Sequence, residues 1–506
     1  MSVFHRIYLF LTVLILAFWS YPALSFEQVS NATSAPVSAQ GQPITEEGLE
    51  AEIGINVYDE RWTGDLDVME SERLIRVLTV YGPGRYYLDG GRQKGITYEM
   101  FKAFEDFVNE RMGKGHVRVH VVFIPVARDL LLSGLVEGRG DIAAANLTIT
   151  PEREEIIDFT KPITKEISEI LVTGPSAPVI QSIDDLSGKK IYVRASSSYR
   201  SSLDNLNARF RQEGKPEIDL QDASEYLEDD DMLEMVNAGL LDWVVVDNNK
   251  AEVWADVFDQ LKVREDIVFR SGGRVGVAIR PDSPKLLAEL NEFMKSYRQG
   301  TLHGNMLINR YFRDFDWADN ALGAEDFQRF IDVAHIFEKY GEQYGVDYLM
   351  VVAQGYQESG LNQGAKSGAG AIGIMQLLPT TAADKNVGIP DISDAESNIH
   401  AGIKYLDFIR QRYFNSPDID RFNQTMFAFA AYNAGPARIA KLRSKAEKQG
   451  YDPNIWFDNV ELIAAKEIGR ETVQYVANIL KYYVGYRLSV EQQVKRGEER
   501  KRLSID

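Results

Sequence analysis

The chain has 506 residues, 44% apolar and 26% charged, with a formal net charge of −19 and no cysteine. Such a length exceeds one core and suits two large domains, and the ordinary apolar content excludes bulk disorder. The acidic balance, without a Lys/Arg stripe interleaved with aromatics, excludes a nucleic-acid partner; the missing cysteines exclude disulfides, thiolate zinc sites, a cysteine nucleophile and a lipidated N-terminal cysteine.

Arg6, an apolar run over residues 7–19 and small residues at Ala23 and Ser25 read as a secretory signal over residues 1–25. The run is short for a spanning helix, which needs about 20 apolar residues, and an uncleaved anchor is the other reading left open. Both predict export, and with no cysteine to lipidate, any membrane attachment is non-covalent or by the uncleaved segment. Residues 26–71 read as a leader that opens rich in Ser, Ala, Gln and Pro, and its Glu60-Arg61-Trp62 segment has no assignable role. From there strands at 75–80 and 117–124 flank a helix at 98–108, and the alternation continues to about residue 300, which predicts an α/β region with parallel sheets over 72–315. Buried-strand runs at 189–193 and 241–246 predict a second lobe. After Phe315 the strands stop; a short link over 315–320 leads to amphipathic helices at 324–340, 395–413 and 471–486, an α-helical domain over 322–490. Residues 491–506 read as a polar tail, with the basic stretch 495–502 a solvated helix end.

One carboxylate decides the chemistry. Residues 348–356 read as a buried helix with Leu349, Val352, Ala353 and Tyr356 on one stripe and Gly360 as C-cap, so that Glu358 projects from the last turn. Glycan scission needs a carboxylic acid that keeps its proton near neutral pH, and apolar surroundings raise a Glu pKa towards that condition.

Four blocks in order carry a resemblance: Glu358-Ser359, Gly370-Ala371-Ile372-Gly373-Ile374-Met375-Gln376, the helix from Asn398 to Leu406, and Ala431-Tyr432-Asn433-Ala434-Gly435-Pro436. Residues 325–487 resemble the soluble lytic transglycosylase domain, a lysozyme-like α-helical fold. The resemblance implies peptidoglycan glycan strands as substrate, cleaved at the MurNAc-GlcNAc β-1,4 bond with 1,6-anhydromuramic ends, and Glu358 as sole acid/base. It further implies that Ser367 and Gln376 contact sugar, that Tyr432 orients Glu358, and that Gly370 and Gly373 let backbone approach glycan. Read singly, Ser367 is a turn residue, Gln376 an amide satisfying backbone, Tyr432 a tethered core aromatic and Asn433 a turn cap. The rival chemistry is a muramidase hydrolase with a second carboxylate at Asp384, Asp391 or Asp394, which read more simply as loop and cap residues.

The stretch 138–153, with Asp158-Phe159-Thr160 after it, resembles the periplasmic solute-binding proteins of the polar amino-acid class. By that resemblance Arg153 forks onto a ligand carboxylate beside the Thr148 hydroxyl, Ser197 offers a donor at a helix N-terminus, and Asp247 takes the ligand ammonium; strand-end capping is the other reading of Asp247. A small zwitterion, an amino acid or a short cell-wall peptide, would then regulate the helical domain. The alternative of another class is a solute sensor whose helical domain only grips murein. No cofactor or metal is expected: His116 and His120 lack carboxylate partners, and the Gly-rich runs lack the Lys-Ser/Thr end of a phosphate loop.

Overall fold

The computed structural model describes residues 61–89, 91–113, 118–312 and 324–503. The signal segment 1–25, Glu60, His116 and the link 315–320 lie outside them. The described residues fall in one compact unit.

The first lobe comprises α1 (Leu66–Ser71), β1 (Leu74–Thr79), the hairpin of β2 (Tyr87–Asp89) and β3 (Arg92–Lys94), α2 (Ile96–Met112), β4 (His120–Pro125), α3 (Leu130–Val136), β5 (Ile142–Ile149), α4 (Pro151–Glu154) and β6 (Asp158–Phe159). The second holds β7 (Ile167–Thr173), β8 (Lys190–Arg194), α5 (Ser198–Gln212), β9 (Asp219–Ala223), α6 (Asp229–Asn237), β10 (Trp243–Asp247) and α7 (Asn248–Ala255). The chain returns through β11 (Lys262–Ile279), and α8 (Pro284–Tyr297) and α9 (Leu302–Phe312) close the first lobe. Each lobe has its own core, Phe101, Phe104 and Phe293 in one, Phe210, Trp243 and Trp254 in the other.

The main sheet has the order β10-β7-β11-β5-β1-β4. β1 runs parallel to β4 and β5, as expected, but β11 is antiparallel to both β7 and β5. Its first residues pair with β7 in the second lobe and its last with β5 in the first, so one strand threads both lobes and the sheet is mixed where a parallel one was expected. An antiparallel partner needs no crossover helix, which lets a single strand join two cores.

The helical domain runs through α10 (Ala324–Tyr344), α11 (Tyr348–Ser359), α12 (Pro379–Ala382), α13 (Ala395–Ile409), α14 (Arg421–Ala434), α15 (Pro436–Lys448), α16 (Glu461–Glu467) and α17 (Arg470–Leu503). Among the described residues no helix is long and apolar enough to cross a membrane.

Three expectations need correction. α11 is buried from Leu349 through Gly355, on all sides and not along one stripe, because it is the central helix of its domain. The end of the presumed leader belongs to the first lobe: the Arg76 guanidinium stacks 3.7 Å over the Trp62 ring and donates to its carbonyl, while Leu66 and Met69 are buried. The presumed polar tail is a continuation of α17 as far as residue 503, and its Arg496 is paired with buried acids of the second lobe, where a solvated end was expected.

Candidate active site

Asp347 caps the start of α11, its carboxylate accepting from the Leu349 N–H at 2.9 Å, and Gly360 ends the helix in the left-handed conformation (φ +65). Glu358 stands in the last turn, half-buried. Burial pushes its carboxyl up to about 7, against a hydrogen bond from Tyr475 that pulls the other way. The Tyr475 hydroxyl, on α17, donates to Glu358 Oε1 at 2.5 Å and accepts from Gln354 Nε2 at 3.1 Å. Gln354 lies one turn before Glu358, so amide, phenol and carboxyl form a directed chain that holds one carboxyl oxygen and leaves the other to carry a proton. Among the described residues no Lys or Arg is ion-paired with Glu358.

The glycine-rich segment folds against this helix end. Ser359 Oγ donates to the Ile374 carbonyl at 2.9 Å and ties the two together. Ser367 is exposed and its hydroxyl accepts from Ala371 N–H at 3.0 Å, closing a turn. Gln376 adopts a left-handed conformation (φ +43), and its amide donates to the carbonyls of Gly373 at 2.8 Å and Ala365 at 3.2 Å. Both residues therefore hold loop backbone here. Gly370 (φ +88) faces open space, whereas a Cβ at Gly373 would lie 2.3 Å from the Asn398 amide. Gly373 thus makes room for Asn398, where an approach to glycan was expected. Asn398 is fully buried, donates to the Ile372 carbonyl and accepts from the Met375 N–H.

Tyr432 was expected to orient Glu358, and the hydroxyl bonded to that carboxyl is that of Tyr475. Tyr432 donates to the Met375 carbonyl at 2.8 Å, which the turn at Gln376 presents to it. It remains close to the acid: burial, then the Glu358 charge, push the Tyr432 phenol well above its ordinary range. Asn433 accepts from Thr472 Oγ at 2.7 Å, fastening α14 to the start of α17; it does not cap the turn at Gly435. Asp384 and Asp391 accept from Asn386 and Ser393 two residues on, and Asp394 caps α13 through Ser397. None of these three hydrogen bonds leads towards Glu358.

In the two-lobed domain, Thr148, Arg153 and Ser197 lie at the junction of the lobes. Half-buried Arg153 donates to the Thr148 carbonyl at 2.8 Å and across the cleft to the Ser196 carbonyl at 3.0 Å. Ser197 caps α5 through the Tyr199 N–H. Asp247 is fully buried and its carboxylate meets Lys250 Nζ at 2.7 Å, so the acid expected to take a ligand ammonium already faces an internal one. Lys250 begins the helix that follows the strand, and its spacing of three places the ammonium over Asp247. His120 is half-buried, and burial pushes its imidazole down to about 4, against the pull of Glu105. Among the described residues no group of His, Asp or Glu could hold a metal.

Tyr475, Gln354 and the role of Asn398 escaped the sequence. An aromatic on the apolar face of a long helix reads as core, and nothing near Tyr475 in the chain marks its partner.

The family model for the Transglycosylase SLT domain matches residues 335–455, and that for Bacterial extracellular solute-binding proteins, family 3, matches residues 75–314. A crystal structure titled as the substrate binding protein of an amino acid ABC transporter aligns with 48% of this chain and 100% of its own, at 20% identity and a TM-score of 0.39. A membrane-bound lytic murein transglycosylase F from Shewanella pealeana is 30% identical over 427 residues, 80% of this chain and 83% of that protein. The protein of the same name from Ectopseudomonas mendocina is 30% identical over 441 residues, 83% of this chain and 85% of that one. Both domains are thus matched in one continuous alignment, and the chain belongs to the membrane-bound lytic murein transglycosylase F family.

Proposed function

We propose that the chain is an envelope lytic transglycosylase that cleaves peptidoglycan glycan strands, with Glu358 as its single acid/base. The observation that carries the reading is a half-buried carboxyl raised to about 7 with a phenol and, among the described residues, no cation as its partner. Such a group holds its proton in a large share of molecules at neutral pH and gives it to the glycosidic oxygen as the C–O bond breaks. The resulting carboxylate then takes the proton of the muramyl 6-hydroxyl as that oxygen bonds to the anomeric carbon. The proton count closes, Glu358 is regenerated, and no water is consumed. Asp384, Asp391 and Asp394 are engaged in local turns and caps, which supports a one-carboxylate route over hydrolysis. Ser367, Gln376 and Tyr432 shape the cleft wall, Ser367 with a hydroxyl proton to offer to sugar. Mass spectrometry of the muropeptides released from purified sacculi tests this: anhydromuramyl ends are expected, and reducing ends throughout would move the chain to the hydrolases.

The region expected over 72–315, which the structure begins by Trp62, is proposed as a regulatory domain and that expected over 322–490, whose last helix runs to residue 503, as the catalytic one, in a protein exported to the periplasm and held peripherally at the outer membrane. A zwitterion at the lobe junction would compete for Arg153, drawing it from the Ser196 carbonyl, with Thr148 and Ser197 beside it, and its ammonium would displace Lys250 to reach Asp247. Calorimetry with amino acids and stem peptides should show binding that Arg153→Ala abolishes and that changes the cleavage rate by about fivefold or more. A panel in which nothing binds would sink the regulatory half alone.

A further inference from the structure

α17 touches all three bodies of the molecule. Along its first half, Tyr475 holds Glu358, and Tyr483 donates to Asp347 at 2.8 Å, so the helix grips both ends of α11. In its middle it is seated on the first lobe: Lys481 pairs with Glu105 at 2.7 Å, both buried, and Tyr486 donates to the Gly91 carbonyl at 2.5 Å. Gly485 costs an exposed helix about 1 kcal/mol relative to Ala. Its reason is contact, since a Cβ there would come within 2.6 Å of Gln93 and 2.9 Å of the Tyr86 hydroxyl. At its far end Gln493 donates to Tyr81 of the first lobe, Arg496 meets Asp230 at 2.5 Å and Asp231 at 2.7 Å, and Arg500 pairs with Glu234. Those three acids stand on α6, a core helix of the second lobe.

The far end also lines the inter-lobe cleft. Tyr81 and Val126 of one lobe, Glu225 and Tyr226 of the other, and Gln492 and Arg496 of α17 line one small pocket of about 10 Å³ at the seam between the lobes. Glu225 accepts from both the N–H and the hydroxyl of Ser196, the residue whose carbonyl receives Arg153. The Arg128 N–H donates to the Glu225 carbonyl at 3.3 Å, its guanidinium meets Glu228, and the Glu228 N–H donates to Asp231 at 2.9 Å, so a path of hydrogen bonds and ion pairs joins Arg153 to Arg496.

We infer that α17 carries the state of the inter-lobe cleft to Glu358, with Arg496 as the sensing contact and Tyr475 as the positioning one; this rests on the regulatory reading above. A continuous helix is stiff, and at 1.5 Å per residue Arg496 and Tyr475 lie roughly 15 Å on either side of the seat at Gly485. A movement of the second lobe that pulls Arg496 therefore returns a comparable displacement at Tyr475. Its 2.5 Å hydrogen bond to Glu358 does not survive a shift of about an ångström.

The test needs no ligand and uses the full chain. Arg496→Gln with Arg500→Gln breaks the contact from one side, and Asp231→Asn, which keeps the shape of the side chain, weakens it from the other should the double variant fold poorly. Hydrogen exchange of α6 reports whether the contact has loosened. The expected result is faster exchange at residues 354–360 and 472–480 as well, with a cleavage rate changed about fivefold or more and a displaced alkaline limb of the pH–rate profile. Loosening confined to α6, with rate, limb and exchange at Glu358 and Tyr475 as in the wild type, overturns the inference. Because the variants are read without ligand, that outcome is distinct from an empty ligand panel, which would sink the regulatory reading.

Discussion

At the end of α11, Glu358 sits half-buried beside the neutral phenol of Tyr475, whereas at the lobe junction Glu228 sits 2% exposed between two guanidinium groups. Arg128 donates to both Glu228 oxygens, at 2.9 and 2.5 Å, and Arg85 adds a third contact at 2.7 Å. Burial pushes each carboxyl up; at Glu228 the charges of Arg128, Arg194 and Arg85 overcome it and bring the group to about 2, and at Glu358 no cation does, so it stays at about 7. The contrast separates an acid that stabilises the fold from one that can do proton chemistry: withdrawal from water is common to both, and the counter-charge decides.

The largest expected effect breaks the comparison at its catalytic side. Glu358→Gln keeps the shape and cannot give a proton, so cleavage of purified sacculi should fall by about 10³-fold or more. Undiminished cleavage by that variant would remove Glu358 from the mechanism.

Substituting Gln at each position should then move stability in opposite directions. At Glu228 the folded pKa lies below the ordinary value, so its stabilisation is present above that value and is lost as pH falls towards about 2. Glu228→Gln leaves Arg128 and Arg85 buried without their partner and should cost about 3 kcal/mol at pH 7, a deficit that narrows in acid. At Glu358 the folded pKa is raised, so its favourable state is complete below the ordinary value of 4.5 and is lost as pH rises through about 7. Glu358→Gln should therefore be more stable than the wild type by about 3 kcal/mol at pH 8 and equal to it near pH 4. Urea unfolding at those pH values reads both; a destabilised Glu358→Gln at pH 8 would mean that the carboxylate is welcome where it lies.

Much of this was legible in the chain because periodicity and turn chemistry are local. The strands at 74–79 and 243–247, α11 with its Gly360 cap, and Glu358 in the last turn all follow from residues within one or two turns of each other. What stayed hidden depends on distance along the chain. Tyr475 lies 117 positions from Glu358, and Arg496 lies 265 from Asp231; each reads alone as a core aromatic or a solvated cation. Asp247 shows the same limit at short range: a strand-end acid could face a ligand or a neighbour, and only the folded helix start brings Lys250 over it.

The smallest expected effect sharpens the comparison at its neutral partner. If the phenol of Tyr475 does for Glu358 a weak version of what Arg128 does for Glu228, its removal should raise the pKa of the acid further. Tyr475→Phe deletes one hydrogen bond to the carboxyl, worth about 1 kcal/mol, which corresponds to about half a unit to one unit. The alkaline limb of the pH–rate profile should move up by that amount, since the protonated form now persists to higher pH. The plateau should fall at the same time, by about tenfold, because the carboxyl is no longer held at Oε1 and its proton is delivered from a less defined position. Ring and packing are kept, and Gln354 loses an acceptor one turn from the acid. A lower plateau with an unmoved limb would show that Tyr475 acts by placement alone, and a limb moved downward would show that the phenol favours the neutral acid over the carboxylate, the reverse of what Arg128 does for Glu228.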